Sequence, residues 1–328
     1  MRIALAGSGI LGINILNSIL SNTSHEVVAL LQNGRRTKKW KRFPYLIFSR
    51  FIGSKNNIVY HALKHKIPII WIDKMTPNEL HPLKELNPDL IITSGFGIIF
   101  KKPLLTLHRI GCINVHSSLL PKHRGPNPFS AVILQGEKET GVTFHIMDEG
   151  IDTGPIIAQE KFEILDTDTA MTLYWKASEL AGKMIPEVLS RIEKEGLHGT
   201  PQNHELATYD PKPSLSDAII RWNVPAYQID RQVRALSQFI MPRFYFYGKT
   251  VFVARVQVKD NETILPPGTV IRPEFPAEIA TAKGSIVLTS AFTLFPIPRL
   301  WPRKGTLKKG DALPTEIRDE RDNHKRIS

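Results

Sequence analysis

An amide and an imidazole stand two residues apart near the middle of the chain, in the stretch GCINVHSSLLPKHRGPNPF. Asn114 and His116 close an apolar run that predicts a strand, and side chains two apart on a strand project from the same face. Further along, the loop MDEGIDTGPII places Asp148, Asp152 and Thr153 between glycines. Ligands of open α/β sheets bind at the carboxyl ends of strands, so we expect these groups to share one crevice.

An amide, an imidazole and a carboxylate suit acyl transfer to an amine. The Asn114 amide can donate to the oxyanion that develops on an attacked carbonyl. His116 can take the proton that the amine loses, or donate to the same oxyanion when charged. Asp152 can hold the imidazole in one tautomer, raise its pKa and relay a proton through water. Alone, such a histidine is more often a packed residue and such an aspartate a turn-former, so the hypothesis rests on the combination.

The elements that must position these groups alternate between strands and helices. Strands are predicted at 3–7, 25–32, 67–72, 89–97, 111–116, 140–147 and 154–164. Helices are predicted at 10–21, 57–66, 75–86, 127–136 and 169–195, the third of them with Thr76 as cap and Pro77 in its first turn. This alternation predicts an α/β fold with an open, mostly parallel sheet and helices on both faces.

The chain changes character after the long helix. Residues 199–223 are rich in Pro, Gly, Asn and Ser and predict a linker. A helix at 225–238 and strands at 249–258, 268–273, 278–284 and 285–294 follow, and they predict a small β-barrel. The predicted organisation is a catalytic domain at 1–198, the linker at 199–223, a β-barrel domain at 224–310 and a charged tail at 311–328.

The first turn of the chain raises a second possibility. Gly7, Gly9 and Gly12 form G-x-G-x-x-G directly after the first strand, which is typical of a dinucleotide site. Such a site places an acid at the end of the second strand, where this chain has Gln32 and Asn33, so NAD is disfavoured. The arginines that follow could suit the 2′-phosphate of NADP. The alternative is that the glycines only serve a tight turn.

A cluster of cations follows the second strand. The net charge is +12, and no acidic residue stands between Glu26 and Asp73. The cluster consists of Arg35, Arg36, Lys38, Lys39, Lys41 and Arg42, and the aromatic residues Trp40 and Phe43 are interleaved with it. Cations attract polyanions and aromatic rings can stack on bases, so the pattern favours a nucleic-acid contact. A solvated loop that only aids solubility is the simpler alternative.

Composition excludes several other classes. The single cysteine, Cys112, rules out an internal disulfide framework and favours a reducing, cytoplasmic location. No apolar run approaches the roughly 20 residues needed to span a bilayer, so no membrane association is expected. The histidines are scattered without ligand spacing, and we predict no metal site.

The motifs around the candidate groups resemble those of the 10-formyltetrahydrofolate-dependent formyltransferases. That family carries Asn-x-His, then Ser-Leu-Leu-Pro, then an Asp-x-Gly-x-Asp-Thr/Ala-Gly loop, and all three stand here in order. The resemblance implies a Rossmann-like domain that binds no NAD(P), with Asn114, His116 and Asp152 as the catalytic residues. It implies a folate site lined, largely through backbone, by Ser118, Leu119, Leu120, Pro121, Phe96, Gly97, Asp148 and Gly150.

The resemblance continues beyond the catalytic domain. The stretch ATYDPKPSLSDAIIRWNVPAYQIDRQVRAL and the strands to 294 are similar to the linker and OB-like barrel of the methionyl-tRNA formyltransferases. This similarity implies initiator methionyl-tRNA as acceptor, with the basic cluster against its acceptor arm, and no obligate protein partner.

Several residues depart from the tRNA enzymes' pattern. The basic segment is longer and differently built, Arg221 replaces the usual Asp, and Arg124 to Pro128 reads Arg-Gly-Pro-Asn-Pro, as in formyltransferases for other amines. These departures touch the acceptor side and leave the catalytic trio unchanged. A small amine, such as a nucleotide-linked amino sugar, therefore stays open as the acceptor.

Overall fold

The computed structural model describes residues 1–51, 56–246, 249–294, 298–300 and 308–314. They form two compact units. The first comprises Met1–Phe129, Lys138–Thr167 and Met171–Pro211, and the second comprises Ser130–Glu137, Asp168–Ala170 and the chain from Lys212 onward. The domain boundaries given above stay a prediction, but residues 199–211, assigned there to the linker, lie within the first unit.

A seven-stranded sheet forms the centre of the first unit, in the order β3-β2-β1-β4-β5-β6-β7. Its strands are β1 Arg2–Gly7, β2 Glu26–Asn33, β3 Ile69–Ile72, β4 Leu90–Ser94, β5 Gly111–His116, β6 Glu139–Ile146 and β7 Ile156–Glu163. The first five are parallel, and β6 and β7 add as antiparallel strands. The predicted Rossmann-like, mostly parallel sheet is confirmed.

Helices connect these strands. They are α1 Gly9–Asn22, α2 Lys39–Phe51, α3 Ile58–Lys64, α4 Pro77–Glu85, α5 Lys102–Leu105, α6 Pro128–Gln135 and α7 Ala170–Glu195. The predicted start of α4 is confirmed, because the Thr76 hydroxyl accepts the Glu79 N–H at 3.4 Å and Pro77 begins the first turn. The Glu79 carboxylate also accepts the Met75 N–H at 2.9 Å, which ties the chain just before the cap to the first turn of the helix.

The central strands are buried because the sheet is covered on both faces. Ile3, Leu5 and Ile91 are fully buried, as parallel sheets require, and Ala4 and Ala6 join the core on one face. This rigid layer fixes the carboxyl ends of β4 and β5, where the candidate site lies.

The basic segment after β2 differs from the loop expected from the sequence. It folds as a short 3₁₀ turn, Gly34–Arg36, and then as α2, which has Pro44 in its interior. Pro44 cannot donate to the helix ladder, so local propensity is a poor guide here. Tertiary contacts secure the helix instead: Arg42 pairs with Asp73 at 2.6 Å, and the Tyr45 ring meets Trp71 edge-on.

The second unit contains an antiparallel sheet in the order β10-β11-β12-β9-β8, with β13 paired to β12. Its elements are α8 Ala226–Leu236, β8 Arg243–Phe246, β9 Lys249–Lys259, β10 Val270–Arg272, β11 Ala277–Ala280, β12 Ser285–Leu294 and β13 Pro298–Leu300. Trp222 and Phe244 pack edge-on in its core. The predicted small barrel-like β domain is confirmed, and β8 and β13 were not predicted.

The predicted charged tail begins with an ordered segment. Leu313 is buried in the core of the second unit, and Ala312 bridges Thr269. Residues 315–328 of that predicted tail lie outside the described residues.

Candidate active site

Asn114 and His116 lie on β5, between β4 and β6, at the carboxyl end of the strand. In the β5–β6 register, Asn114 faces His145 and His116 faces Thr143. The two-residue spacing therefore places both candidate side chains on one face of the sheet.

Asp152 reaches these residues from the loop between β6 and β7. Its Oδ1 accepts from Asn114 Nδ2 at 3.2 Å, and its Oδ2 accepts the Gly125 N–H at 2.9 Å and lies 3.6 Å from His116 Nδ1. The residue has a φ of +54°, a left-handed conformation that costs on the order of 1–3 kcal/mol outside glycine. The structure thus brings the three predicted catalytic residues together.

The tautomer of His116 is fixed by a backbone carbonyl. His116 Nε2 lies 2.8 Å from the His123 carbonyl oxygen, which can only accept, so Nε2 carries the hydrogen. In the neutral ring, Nδ1 is then the unprotonated atom. From the sequence we expected Asp152 to select the tautomer of His116. The structure shows that the His123 carbonyl selects it, because the short hydrogen bond is made by Nε2 and not by Nδ1.

The Asn114 amide, which we expected to donate to an oxyanion, donates to other residues of the site. Nδ2 donates to Asp152 and also to His145 Nε2 at 3.1 Å, so both of its hydrogens are used within the site. His145 Nδ1 lies 2.9 Å from the Ile146 carbonyl and carries the hydrogen, which leaves Nε2 as acceptor. The amide hydrogens expected to face an oxyanion are thus committed, and among the described residues Asn114 Oδ1 has no hydrogen-bond partner.

The charges of the site follow from burial and from these contacts. Burial alone would raise the pKa of Asp152, but His116, His145 and the Gly125 N–H outweigh it and lower that pKa to about 2. Burial lowers the pKa of His116, against the opposing attraction of Asp152. At neutral pH the site therefore holds a carboxylate beside a neutral imidazole with a free Nδ1.

Two residues of the site were not found from the sequence. His145 belongs to the strand GVTFHIM, and only the β5–β6 register places it opposite Asn114. Gln159 on β7 donates to the Leu120 carbonyl at 2.9 Å and to the Thr143 hydroxyl at 2.8 Å. Neither has a local sequence signal, because both depend on strand pairing.

The signature segment Ser118 to Pro121 acts as a support. Ser118 is buried, and its hydroxyl donates to the carbonyls of Lys122 and His123 at 2.9 and 3.3 Å. Leu120 is buried and Leu119 and Pro121 are partly exposed. These contacts fix the chain that carries the His123 carbonyl.

The other positions predicted for the folate are of two kinds. The Phe96 side chain is buried against Phe100, and its carbonyl accepts from Asn33 Nδ2 at 3.2 Å. Asp148 and Gly150 are exposed in the β6–β7 loop, where Asp148 accepts the Gly150 N–H at 3.0 Å. The Gly97 carbonyl is 3.4 Å from Asn33 Nδ2. Of these four positions, only Asp148 offers an exposed side chain to a ligand, and Gly97 and Gly150 offer exposed backbone.

The G-x-G-x-x-G turn is closed by a tyrosine. At the N-terminus of α1, where a dinucleotide's pyrophosphate binds, the Leu11 N–H donates to the Tyr174 hydroxyl at 3.2 Å. Gly9 has a φ of +62°, and a β-carbon there would overlap that hydroxyl. Gln32 donates to the Gly7 carbonyl at 2.9 Å at the position of the missing acid. The glycines serve the turn and the packing.

Tyr174→Phe is expected to destabilise the first unit by about 1–3 kcal/mol, because the variant leaves the Leu11 N–H at the start of α1 without its acceptor. Denaturant unfolding of the variant and the parent protein measures this loss. Tyr60→Phe is the control, since Tyr60 only meets His61 edge-on among the described contacts. Equal stability of both variants would contradict a capping role for Tyr174.

The basic cluster divides into one partly buried and several exposed members. Arg42 pairs with Asp73 and lies over the Trp71 ring, which commits it to the fold. The Arg35 guanidinium donates to the Asp73 carbonyl at 2.8 Å. The exposed members are Arg35, Arg36, Lys38, Lys39 and Lys41, beside the exposed Trp40 and Phe43.

Two further properties concern only the described residues. Within the described ranges, no helix is both long and apolar enough to cross a bilayer. In the same part of the chain, no three His, Cys, Asp or Glu side chains are grouped so that they could hold a metal ion.

Two known protein families match most of the chain. Residues 2–189 match the family Formyl transferase, and residues 213–292 match the family Formyl transferase, C-terminal domain. The three candidate catalytic residues lie in the first match.

Individual proteins agree with the family matches. A methionyl-tRNA formyltransferase of Wigglesworthia glossinidia brevipalpis is 32% identical over 297 residues, 88% of either chain. A second, from Methylococcus capsulatus, is 28% identical over 87% of this chain and 90% of its own. The structure of an N-formyltransferase from Helicobacter canadensis superposes with a TM-score of 0.63 at 23% identity, over 88% of this chain and 98% of that one.

Proposed function

The chain belongs to the formyl transferase family and is an enzyme that transfers a one-carbon formyl group, and on that premise we propose that it formylates the amino group of methionyl-initiator-tRNA with 10-formyltetrahydrofolate as donor. The observation that carries the chemistry is the cluster of the buried His116 with the partly buried Asn114 and Asp152. The acceptor rests on the two relatives named methionyl-tRNA formyltransferase and on the exposed cations after β2.

A folate donor suits the open side of this cluster. The two segments assigned to it each present an exposed apolar side chain, Ile99 just after Gly97 and Ile151 beside Asp152. Exposed aliphatic surface beside backbone groups fits a flat, partly polar ring. When bound, the donor supplies an activated formyl carbon on a nitrogen that can leave.

His116 moves the proton in this proposal. As the amine attacks the formyl carbon, its proton passes to the free Nδ1 of His116. Asp152 Oδ2, at 3.6 Å, stabilises the imidazolium that forms. The new C–N bond forms first and leaves a tetrahedral oxyanion. The oxyanion then collapses, the bond to the folate nitrogen breaks as that nitrogen takes the proton from His116, and His116 returns to its neutral state.

Asn114 acts through its Oδ1, which has no hydrogen-bond partner among the described residues. Oδ1 accepts a hydrogen from the incoming amine and orients its lone pair toward the formyl carbon. Donation to the oxyanion by Nδ2 requires it to leave Asp152 or His145. Until it does, the charged Nδ1–H of His116 is the donor at hand for the oxyanion.

The acceptor assay tests the substrate class directly. The enzyme is offered charged initiator methionyl-tRNA and, separately, a panel of nucleotide-linked amino sugars, with 10-formyltetrahydrofolate as donor and His116→Ala as blank. Formylmethionine on the tRNA supports the proposal. A formylated sugar with inert tRNA overturns the acceptor and leaves formyl transfer intact.

Neutralising exposed cations is expected to weaken the binding of tRNA. The triple variant Lys38→Gln, Lys39→Gln, Lys41→Gln removes three exposed positive charges just before and at the start of α2. We expect a higher KM for tRNA and a shallower salt dependence, by about 0.9 in log-log slope for each phosphate that the variant no longer neutralises. The kcat should change little, since none of the three touches the catalytic cluster.

A matched variant separates this effect from net charge. Lys84, Lys183 and Lys194 are exposed on α4 and α7, and their replacement by Gln removes the same three charges. That variant should keep the parent salt slope. If both variants behave alike, the cluster after β2 has no particular role in binding tRNA.

A further inference from the structure

A strap of chain from the first unit lies against the segment that follows the Ser-Leu-Leu-Pro signature. We name residues 200–211 the strap and residues 123–125 the supporting segment. The Arg124 N–H donates to the Thr208 carbonyl, and the Asp210 N–H donates to the Arg124 carbonyl, each at 2.9 Å. The His123 N–H donates to the Thr208 hydroxyl at 2.8 Å. The strap therefore holds the supporting segment by a short ladder and a side-chain bond.

A buried side-chain hydrogen bond adds to this ladder. His123 Nδ1 lies 2.7 Å from Asp210 Oδ2, with side chains 3% and 17% exposed. His123 has a φ of +58°, a left-handed conformation that is uncommon outside glycine, although His adopts it more often than most residues. Asp210 therefore holds His123 in the backbone conformation that aims its carbonyl at His116.

A second connection runs from the strap to Asp152. The buried Arg124 guanidinium donates to Gln202 Oε1 at 2.6 Å. Gln202 Nε2 donates to the carbonyls of Asp152 and Gly154, at 2.9 and 2.7 Å. The Gly125 N–H binds the Asp152 carboxylate itself. Both catalytic groups thus receive their restraints from the supporting segment and the strap.

We propose that Asp210, acting through His123, is a positioning residue for formyl transfer: it fixes the His123 carbonyl that selects the Nε2–H tautomer of His116. The inference deepens the proposed function, since it rests on His116 as the base, and it is independent of the acceptor. With the carbonyl in place, Nδ1 is the basic atom beside Asp152. Without it, the hydrogen can move to Nδ1, and the base faces away from Asp152.

The tautomer is measured by nuclear magnetic resonance of the protein labelled with ¹⁵N-histidine, with His116 assigned by its loss in His116→Gln. The parent protein should show a protonated Nε2 and an unprotonated Nδ1 above the pKa of His116. Asp210→Ala should show a mixture of tautomers, and Asp210→Asn, which keeps an acceptor for His123 Nδ1, should restore the parent pattern. This readout needs no acceptor substrate, so a failed acceptor assay does not affect it.

Kinetics provide the second readout. Asp210→Ala should lower kcat by about 10-fold to 10²-fold with an unchanged KM for the folate, because the base is misplaced and the donor site is not. The His123 carbonyl also raises the pKa of His116, so the acid limb of kcat/KM should move to lower pH. Thr208→Val, which loosens the same segment, gives a second route to both effects if Asp210→Ala does not fold.

Asp230→Ala is the matched control. Asp230 pairs with Arg234 at 2.7 Å with a side chain 23% exposed, so its contact resembles that of Asp210 with His123 in length and burial but lies in the second unit. It should lose stability and keep the parent tautomer and pH profile. A folded Asp210→Ala with the parent tautomer and kcat would overturn the proposal, and if Asp210→Ala does not fold, a Thr208→Val variant with the parent tautomer and kcat would do so.

Discussion

His116→Ala is expected to transfer the formyl group about 10²–10⁴-fold more slowly than the parent enzyme, the usual contribution of a positioned acid–base group. The physical reason is that neutral Nδ1 is the free base of the site, since Nε2 is bound by the His123 carbonyl. The measurement is single-turnover transfer of the formyl group to the substrate that the acceptor assay identifies. Folate binding, followed separately by fluorescence, should change far less than the rate.

The role of His116 as the base also predicts how the activity of the parent enzyme depends on pH. Burial lowers the pKa of His116 below its ordinary value of 6.5, so the neutral, active form persists at neutral pH. Activity should fall only as the pH drops through that lowered pKa, where His116 becomes charged. An acid limb above pH 6.5 would contradict this assignment.

His108→Ala is the control for the loss of an imidazole. His108 precedes the start of β5 and is hydrogen-bonded to the Leu105 carbonyl at 2.6 Å, whereas His116 is the last residue of β5, at the carboxyl end of the strand. Its removal should cost stability and leave single-turnover transfer unchanged. Equal loss of transfer in both variants would mean that His116 only supports the fold.

Local patterns in the sequence predicted the framework of the site. Apolar runs of strand length identified the central strands. The two-residue spacing of Asn114 and His116 predicted that both side chains project from the same face of β5. Asp152 was predicted from its glycine-flanked loop and from the motif resemblance, because no periodicity could bring it to that face. These features are local in the chain or carried by a motif, so a single sequence is enough to show them.

The remaining features depend on long-range pairing. His145 meets Asn114 only through the β5–β6 register, and Asp210 meets His123 across a large separation in sequence. Tyr174 is assigned to a long helix by its neighbours, and nothing near it indicates that its hydroxyl closes the first glycine turn. Such contacts are set by the tertiary fold, and each of them changed the role given to a predicted residue.

The helix α2 was missed for a different reason. Its inner side carries Arg42 and Tyr45, and its outer side carries the exposed Trp40, Phe43 and Ile47. Apolar residues on the outside and a cation on the inside invert the pattern by which helices are recognised. The Asp73 partner of Arg42 lies beyond the end of β3 and has no sequence signal of its own.

Asp152→Asn separates the charge of this carboxylate from its position. Asn tolerates the left-handed φ of this residue and keeps an oxygen for the Gly125 N–H, so the loop should retain its path. We expect kcat to fall by about 10²-fold or more, because no anion then stabilises the imidazolium on His116. Since Asp152 raises the pKa of His116, its loss should also move the acid limb of kcat/KM to lower pH.

The pH profile of this variant decides between two roles for Asp152. The carboxylate has a pKa of about 2 and stays charged throughout the accessible range, so its own titration cannot produce the limb. Asp166→Asn, at a side chain 89% exposed and paired with Lys138, removes one acidic charge elsewhere and should leave rate and profile unchanged. If Asp152→Asn is slow but keeps the parent limb, Asp152 positions substrate without acting on His116. If the limb moves with the rate, the charge acts through the imidazole, and the proton transfer at Nδ1 is the step that the carboxylate assists.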